Sequence, residues 1–251
     1  MKLRILILSI FGTFVFNSCS SDSNSSNQNT DPNSNLPKKV IFESSADHNV
    51  YELFYNQNKI DYVKISTDGT NLGLFMTCYF TYNGDLISNI CHKDSSGNII
   101  YNENFIYQNN KLVKYIGTNT PLTNEVNNDY VYNNDGTIDC IYSDTTNGIG
   151  GTVNYTYING MVTKMFNGDI TYFPTNSPFK NIKGIDECYF THNTQDGFFL
   201  NQLFISTTLN VNSYDNDFHY SYVYNDNLYP SLITKISNFG FNQGTFNITY
   251  Y

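Results

Sequence analysis

The chain has 251 residues and a formal net charge of −9, and only 14% of its residues are charged. Because an acidic surface repels phosphate backbones, we expect no nucleic-acid partner. The 22 tyrosines and 19 phenylalanines, together with frequent Thr, Ile and Val, are typical of strands, and no stretch shows a sustained apolar period of 3.6 residues.

The N-terminal segment has the layout of an export signal. Lys2 and Arg4 precede an apolar run from Ile5 to Phe16, which is shorter than the roughly 20 residues that span a bilayer. We therefore expect residues 1–18 to be removed as a signal peptide. The junction resembles a type II lipoprotein signal, which implies that Cys19 carries a lipid and tethers the mature chain to a membrane.

The residues around the junction refine this expectation. Phe16 and Asn17 depart from the usual signal, which has Leu and then a small residue at these positions. The tract Ser20-Ser21-Asp22-Ser23 resembles lipoproteins of the Bacteroidetes that are exported to the outer membrane, including its outer face. A secretory signal that happens to end near a cysteine is the alternative.

A flexible linker is expected at residues 19–37. From Ser20 to Pro37 the chain has no aromatic residue and one aliphatic residue, Leu36, so it cannot offset the entropy of ordering. As a coil it would hold the folded part about 24 Å from the membrane on average. The remaining residues, 38–251, are predicted to form one domain.

A repeat of 25 residues organises this domain. Four tyrosines mark it, each preceded two positions earlier by an aromatic residue: Phe80 and Tyr82, Phe105 and Tyr107, Tyr130 and Tyr132, Tyr155 and Tyr157. A turn cluster of Asn, Gly and Asp follows each tyrosine, and an alternating strand then returns, which makes a β-hairpin. We expect the repeat tyrosines to build the core.

The repeated hairpins predict an all-β fold, a strongly curved antiparallel meander of about 14 to 16 strands. This wide sheet is expected to be strongly curved or barrel-like; to hide its aromatic face it can close or nearly close into a barrel, roll up around its own core or fold over as a sandwich, and the sequence alone does not choose among these forms. The period breaks down between Pro174 and Phe218, where we expect a short helix or an irregular loop. Because departures from a repeat often carry specific contacts, Tyr189, Phe190 and Tyr214 are the candidate binding aromatics.

Two motifs carry a resemblance to known families. The segments 130–138 and 155–164 resemble the tyrosine–aspartate (Rhs-type) repeat, in which an aromatic hairpin is iterated into a β-sheet shell. The segments 176–184 and 229–236, with the ending Thr249-Tyr250-Tyr251, resemble a family of uncharacterised outer-membrane lipoproteins of the Bacteroidetes. The resemblance implies the fold and the location, and it transfers no catalytic residue.

Catalytic and metal-binding patterns are weak in this sequence. The four histidines are scattered, without the spacing of a metal site, so we expect no catalytic residue, no metal and no cofactor. The carboxylates Asp186, Glu187, Asp215 and Asp217 could supply a glycosidase pair, and the loop Asp215–Asp217 a Ca²⁺ ligand set; turn chemistry is the preferred interpretation of both.

Four cysteines remain after lipidation. Cys78 and Cys91 fall nearly opposite each other across one predicted hairpin, so a Cys78–Cys91 disulfide is the favoured bridge. Cys140 shares a face with Ile138 and Tyr142, which favours a buried free thiol at least as much as a disulfide.

The functional expectation is a non-enzymatic envelope lipoprotein that binds a glycan or a protein partner. A structural or accessory subunit of an envelope complex is the alternative, and a glycoside-processing enzyme is less favoured. An exposed aromatic strip would favour glycan binding, a large flat apolar patch a protein partner, and a deep cleft lined by perturbed carboxylates or histidines an enzyme.

Overall fold

A computed structural model describes residues 35–45, 48–67, 76–120, 124–145, 147–158, 161–165, 168–185, 209–214 and 218–251. Within these ranges the chain forms sixteen strands: β1 Pro37–Glu43, β2 His48–Asn56, β3 Lys59–Thr67, β4 Met76–Asn83, β5 Leu86–Asp94, β6 Ile99–Gln108, β7 Lys111–Asn119, β8 Asn124–Tyr132, β9 Thr137–Asp144, β10 Ile149–Ile158, β11 Met161–Met165, β12 Gly168–Asn176, β13 Leu209–Tyr214, β14 Phe218–Tyr224, β15 Pro230–Ser237 and β16 Asn242–Tyr250. The described ranges contain no helix long and apolar enough to cross a membrane.

The strands close into a barrel. Each strand pairs antiparallel with its neighbours in sequence, and β1 pairs with β16, for example through Val40 and Ile248. The predicted all-β, barrel-like meander of hairpins is therefore confirmed, and the closed barrel is the form that the chain adopts. Closure leaves no strand of this sheet with an unpaired edge, which removes the usual template for aggregation.

The two faces of the barrel wall differ in polarity. Along β6, Tyr101 and Phe105 point inward and are buried, whereas Asn102 and Asn104 between them point outward. The same alternation runs along the other strands, because successive side chains of a strand point to opposite faces. The inward residues form one apolar cluster that includes Tyr51, Val63, Phe80, Tyr115, Ile138, Tyr155, Ile233 and Phe246.

The repeat tyrosines line this inner face, as expected, and fasten neighbouring hairpins. Tyr107 donates its hydroxyl to the carbonyl of Ile87 at 2.9 Å, and Tyr132 donates to the carbonyl of Leu112 at 3.0 Å. In both bonds the acceptor residue is the strand partner of the repeat tyrosine one period earlier. Ile87 pairs with Tyr82, and Leu112 pairs with Tyr107. The 25-residue period thus corresponds to one hairpin plus one hydrogen bond to the hairpin before it.

One end of the barrel carries short turns, the start of β1 and the end of β16, and we call it the tether end. The turn of β6 and β7 lies there and consists of Asn109 and Asn110, both with positive φ, as a two-residue hairpin loop requires. The chain enters at this end through Leu36, which is buried, so the folded part begins slightly before residue 38. Tyr251 closes the same end, since its backbone N–H donates to the carbonyl of Leu36 at 3.2 Å.

The segment 177–185, which follows β12, packs across the tether end. Phe179 and Ile182 are buried, and the backbone N–H of Lys183 donates to the carbonyl of Asn58 in the turn of β2 and β3 at 2.9 Å. The Lys183 ammonium also lies 3.1 Å from the Asp85 carboxylate in the turn of β4 and β5. This described part of the predicted irregular region is a series of turns that closes over the wall.

Candidate functional site

Most residues predicted for function lie outside the described ranges. These are Cys19, Asp186, Glu187, Cys188, Tyr189, Phe190, Asp215 and Asp217. Tyr214 is described at the end of β13, where its ring packs against the core and its hydroxyl lies 3.5 Å from the carbonyl of Met165. Of the three candidate binding aromatics, the one that the structure describes is therefore part of the wall.

The structure contradicts the predicted Cys78–Cys91 disulfide, because the strand register does not pair the two cysteines. Both cysteines are free thiols, because Cys78 pairs with His92 and Cys91 pairs with Tyr79. A β-bulge near Ser88 adds one residue to β5 and shifts the register by one. The two sulfur atoms therefore point to opposite faces of the wall. Cys140 is a buried free thiol, and burial raises its pKa to about 11.

A polar cluster occupies the inner face at β4 to β7. His92 Nε2 lies 2.6 Å from Glu103 Oε1, and His92 Nδ1 lies 3.4 Å from Cys78 Sγ. Tyr115 donates its hydroxyl to Glu103 Oε2 at 3.0 Å, and Tyr101 lies 3.1 Å from the Tyr115 hydroxyl. His92 and Glu103 are only 2% and 1% exposed, so this is an ion pair inside the protein.

The charges of the cluster follow from its contacts. Burial alone lowers the pKa of His92, but Cys78 and Glu103, which face its two ring nitrogens, raise that pKa to about 10. At neutral pH the histidine is therefore an imidazolium opposite the Glu103 carboxylate. The phenol of Tyr115 has a raised pKa because of its burial and the neighbouring Glu103 charge, and it remains a neutral donor.

The cluster has the residue types of an activated thiol, a cysteine beside a histidine that a carboxylate orients. Cys78 Sγ is nevertheless fully buried, at 0% exposure, so no substrate atom reaches it in this structure. Both nitrogens of His92 are occupied by protein partners. Within the described ranges, no group of three or more His, Cys, Asp or Glu side chains is arranged to hold a metal ion. We therefore assign the cluster a structural role, in which its contacts join β4, β5, β6 and β7 on the inner face of the barrel wall.

The outer face of β2 to β4 carries a row of aromatic side chains, which we call the aromatic row. Phe54 pairs with Tyr62, and Tyr62 pairs with Tyr79 on the next strand. The ring centroids of Phe54 and Tyr62 lie 4.4 Å apart, and those of Tyr62 and Tyr79 lie 5.9 Å apart. Tyr79 is 43% exposed, so the row presents aromatic surface to the outside of the barrel.

A second row, which we call the basic row, runs beside the aromatic row. It crosses β1 to β5 in direct cross-strand pairing, through Lys39, Glu52, Lys64, Thr77 and Lys93. The Lys64 ammonium lies 5.4 Å from the ring centroid of Phe54, and the Lys93 ammonium lies 5.0 Å from that of Tyr79. Cationic and aromatic groups therefore alternate over this part of the outer wall.

A groove of about 340 Å³ opens at the tether end of the aromatic row, between β1, β2 and β16. Phe54 belongs to both the groove and the row, and Lys38, Glu52 and Tyr251 are among the other residues that line the groove. The Lys38 ammonium lies 5.3 Å from the ring centroid of Tyr251. The volume is at the lower end of the roughly 300–1,000 Å³ of small-molecule pockets.

Sequence reasoning missed the aromatic row because it followed the repeat tyrosines, which face inward. The sequence did contain a signal for this row, in the alternation of inward and outward residues along β2 and β4. Phe54 lies between the inward residues Leu53 and Tyr55, and Tyr79 between Cys78 and Phe80, where the outer face should be polar. An aromatic residue at the outward position of consecutive strands is a departure that could have been found before the structure.

No protein-family model matches the sequence, and no curated protein matches it. A solved structure of a porin-like protein from Bacteroides uniformis is similar, with a TM-score of 0.50 and 11% sequence identity, covering 86% of this chain and 98% of that chain. A porin-like protein from Bacteroides vulgatus has a TM-score of 0.44 and 14% identity over the same shares of the two chains. At this identity the likeness to the first structure concerns the fold alone.

Proposed function

We propose that this chain is a lipid-anchored lipoprotein of the outer membrane whose barrel lies in water beside the bilayer and acts as a non-catalytic binding module. The observation that carries the proposal is the polarity of the wall. A membrane-spanning barrel presents an apolar band to lipid and a polar face to its lumen. This barrel has the opposite arrangement, with its apolar cluster inside.

Charged side chains on the outward face, within the strands rather than in the turns, support this placement. Lys64 on β3, Lys114 on β7 and Asp139 on β9 all point outward. A lysine at the midplane of a bilayer costs about 2–4 kcal/mol on the lipid face of a barrel. Several such residues around one wall make insertion of this face unfavourable, whereas in water they need no compensation.

The anchor and the ligand-binding surface follow from the same arrangement. The described chain begins at the tether end, and the linker and the Cys19 expected to carry the lipid precede it in the sequence. The shared fold with a porin-like protein supports an association with the outer membrane. The aromatic row favours a glycan as the ligand, since an aromatic ring offers an apolar face and tyrosine adds a hydroxyl.

Fractionation of the full-length chain tests this function. In a Gram-negative host fed an alkyne fatty acid, we expect wild-type protein and the matched control Cys91→Ser to be labelled and to fractionate with the outer membrane. Cys19→Ser is expressed behind an ordinary cleavable secretory signal in place of residues 1–18, because a type II signal is cut only before a cysteine; it should be unlabelled and should be recovered, folded, in the aqueous periplasmic fraction without detergent. If Cys19→Ser stays in the membrane fraction and needs detergent for release, the barrel itself is membrane-embedded and the proposal fails.

A further inference from the structure

The aromatic and basic rows both run obliquely across the outer wall, away from the tether end and toward the opposite end of the barrel. Lys39 is the third residue of β1, which starts at the tether end, whereas Lys93 is the next-to-last residue of β5, which ends at the opposite end. The lysines of the basic row stand on alternate strands, so their Cα atoms are spaced by about 9–10 Å. The rows therefore form one continuous track across five strands, with the groove at its tether end.

The lysines of this track are available to an external anion. Lys38, Lys39, Lys64 and Lys93 form no ion pair with another described residue, in contrast to Lys59, Lys114 and Lys183 elsewhere on the surface. Glu52 stands within the track, between Lys39 and Lys64, so the local charge is positive but not uniformly so. This basic track belongs to a chain with a net charge of −9.

We propose that the track binds a linear anionic polysaccharide, with sugar rings against the aromatic row and carboxylate or sulfate groups on the basic row. This inference rests on the proposed binding function and names its ligand class. The aromatic row supplies apolar contact for sugar rings, and the regularly spaced ammonium groups supply point charges for the anions. The groove accommodates one end of the polymer.

The direction of the track distinguishes a polymer from a membrane surface. A flat anionic membrane beneath the tether end would contact Lys38 and Lys39 there. It would not contact Lys93 at the far end of β5 at the same time, because the rows rise along the wall. A linear polyanion lying along the wall contacts all of them together.

The test measures binding of detergent-solubilised full-length lipoprotein to immobilised polygalacturonate and chondroitin sulfate by biolayer interferometry. Fully methyl-esterified polygalacturonate, which has the same backbone without charge, is the neutral control. We expect an anionic polymer to bind at least about tenfold more tightly than the ester. We expect this preference to shrink as salt rises from low concentration to about 0.5 M, because exposed charges are screened.

Substitutions locate the site. Lys64→Glu and Tyr79→Ala should each weaken binding of the anionic polymer by about fivefold or more. The matched controls are Lys164→Glu, an exposed outward lysine on β11, and Val131→Ala, an exposed outward residue on β8; both should bind as wild type does. Thermal unfolding of each variant confirms folding, and the comparison of the polymers on wild-type protein needs no variant.

Each other outcome overturns the inference in a distinguishable way. Equal binding to the ester refutes the anionic preference but leaves a glycan-binding module. Anionic binding that both Lys64→Glu and Tyr79→Ala leave unchanged places the site elsewhere. Binding to anionic phospholipid vesicles that Lys64→Glu abolishes, without polysaccharide binding, identifies a membrane surface as the ligand. Absence of binding to every polymer refutes the ligand class, while the fractionation of Cys19→Ser still decides the location of the barrel.

Discussion

Replacing Glu103 with glutamine removes the negative charge of the buried ion pair and keeps the shape of the side chain. The carboxylate receives the Tyr115 hydroxyl at 3.0 Å and lies 2.6 Å from His92 Nε2. Removing one partner of a buried pair costs about 3–5 kcal/mol, because the other charge is left uncompensated. Since glutamine retains an acceptor for one of the two contacts, we expect Glu103→Gln to lower the free energy of unfolding by about 3 kcal/mol at pH 6.5.

The same pair predicts how stability depends on pH. The pKa of His92 is about 10 in the folded protein against an ordinary value of 6.5. A histidine whose pKa is raised by folding contributes its full stabilisation below about pH 6.5 and loses it as pH rises toward 10. Wild-type stability should therefore fall between pH 6.5 and 9. In Glu103→Gln the fall should be shallower, since Cys78 still raises the pKa of His92 but the contribution of Glu103 is gone.

Urea unfolding of the secreted Cys19→Ser chain, followed by far-ultraviolet circular dichroism at pH 6.5 and pH 9, measures both effects. Glu52→Gln is the matched control because Glu52 is exposed on the outer face, and it should stay within about 0.5 kcal/mol of the parent. A Glu103→Gln cost below about 1 kcal/mol at pH 6.5, or parallel pH dependence in the two proteins, would refute the assignment of a charged pair.

Two further substitutions test the tether end and the tyrosine hydrogen bonds. Gly184→Ala should cost about 2–4 kcal/mol in urea unfolding, because φ is +75° and the added Cβ would lie 2.5 Å from the carbonyl oxygen of Asp85. Gly97→Ala, with φ of +85° but nothing within 4 Å of the added Cβ, should cost only about 1–2 kcal/mol, and equal costs would contradict the steric account. Tyr132→Phe removes the donor to the Leu112 carbonyl and should cost about 0.5–1.5 kcal/mol by the same assay; a stabilised variant would contradict a native hydrogen bond.

The 25-residue period was sufficient to predict the hairpins and the inward face of the repeat tyrosines. Each period repeats a local pattern, in which Tyr107 and the following Asn109 and Asn110 specify a strand end and a two-residue turn. Closure was not predictable in the same way. The pairing of β1 with β16 joins the two ends of the chain, and no local pattern reports on a contact so distant in sequence.

The polar cluster at β4 to β7 shows why the contacts of particular side chains were harder to predict than the fold. A hairpin with the turn at Gly84 and no bulge would pair Cys78 with Cys91, as the sequence suggests. The bulge near Ser88 changes the partner of Cys78 to His92, which brings the histidine inward beside Glu103. A single extra residue exchanges all side chains between the two faces of a strand, so an error of one position changes a predicted disulfide into a buried ion pair.

In our proposal, a shift of one residue in the alternation also separates this protein from a membrane-spanning barrel of similar topology. Both kinds of barrel alternate apolar and polar residues along every strand, and they differ in which set points inward. In this chain the hydroxyl of Tyr132 reaches the Leu112 carbonyl of the neighbouring hairpin on the inner face, which fixes the repeat aromatics inside. The outer positions, such as Lys64 and Lys114, then point away from the apolar cluster, and in our proposal they face water. The backbone likeness to a porin-like protein therefore leaves the location of the wall undecided, and the direction of the alternating side chains places it outside the bilayer in our proposal.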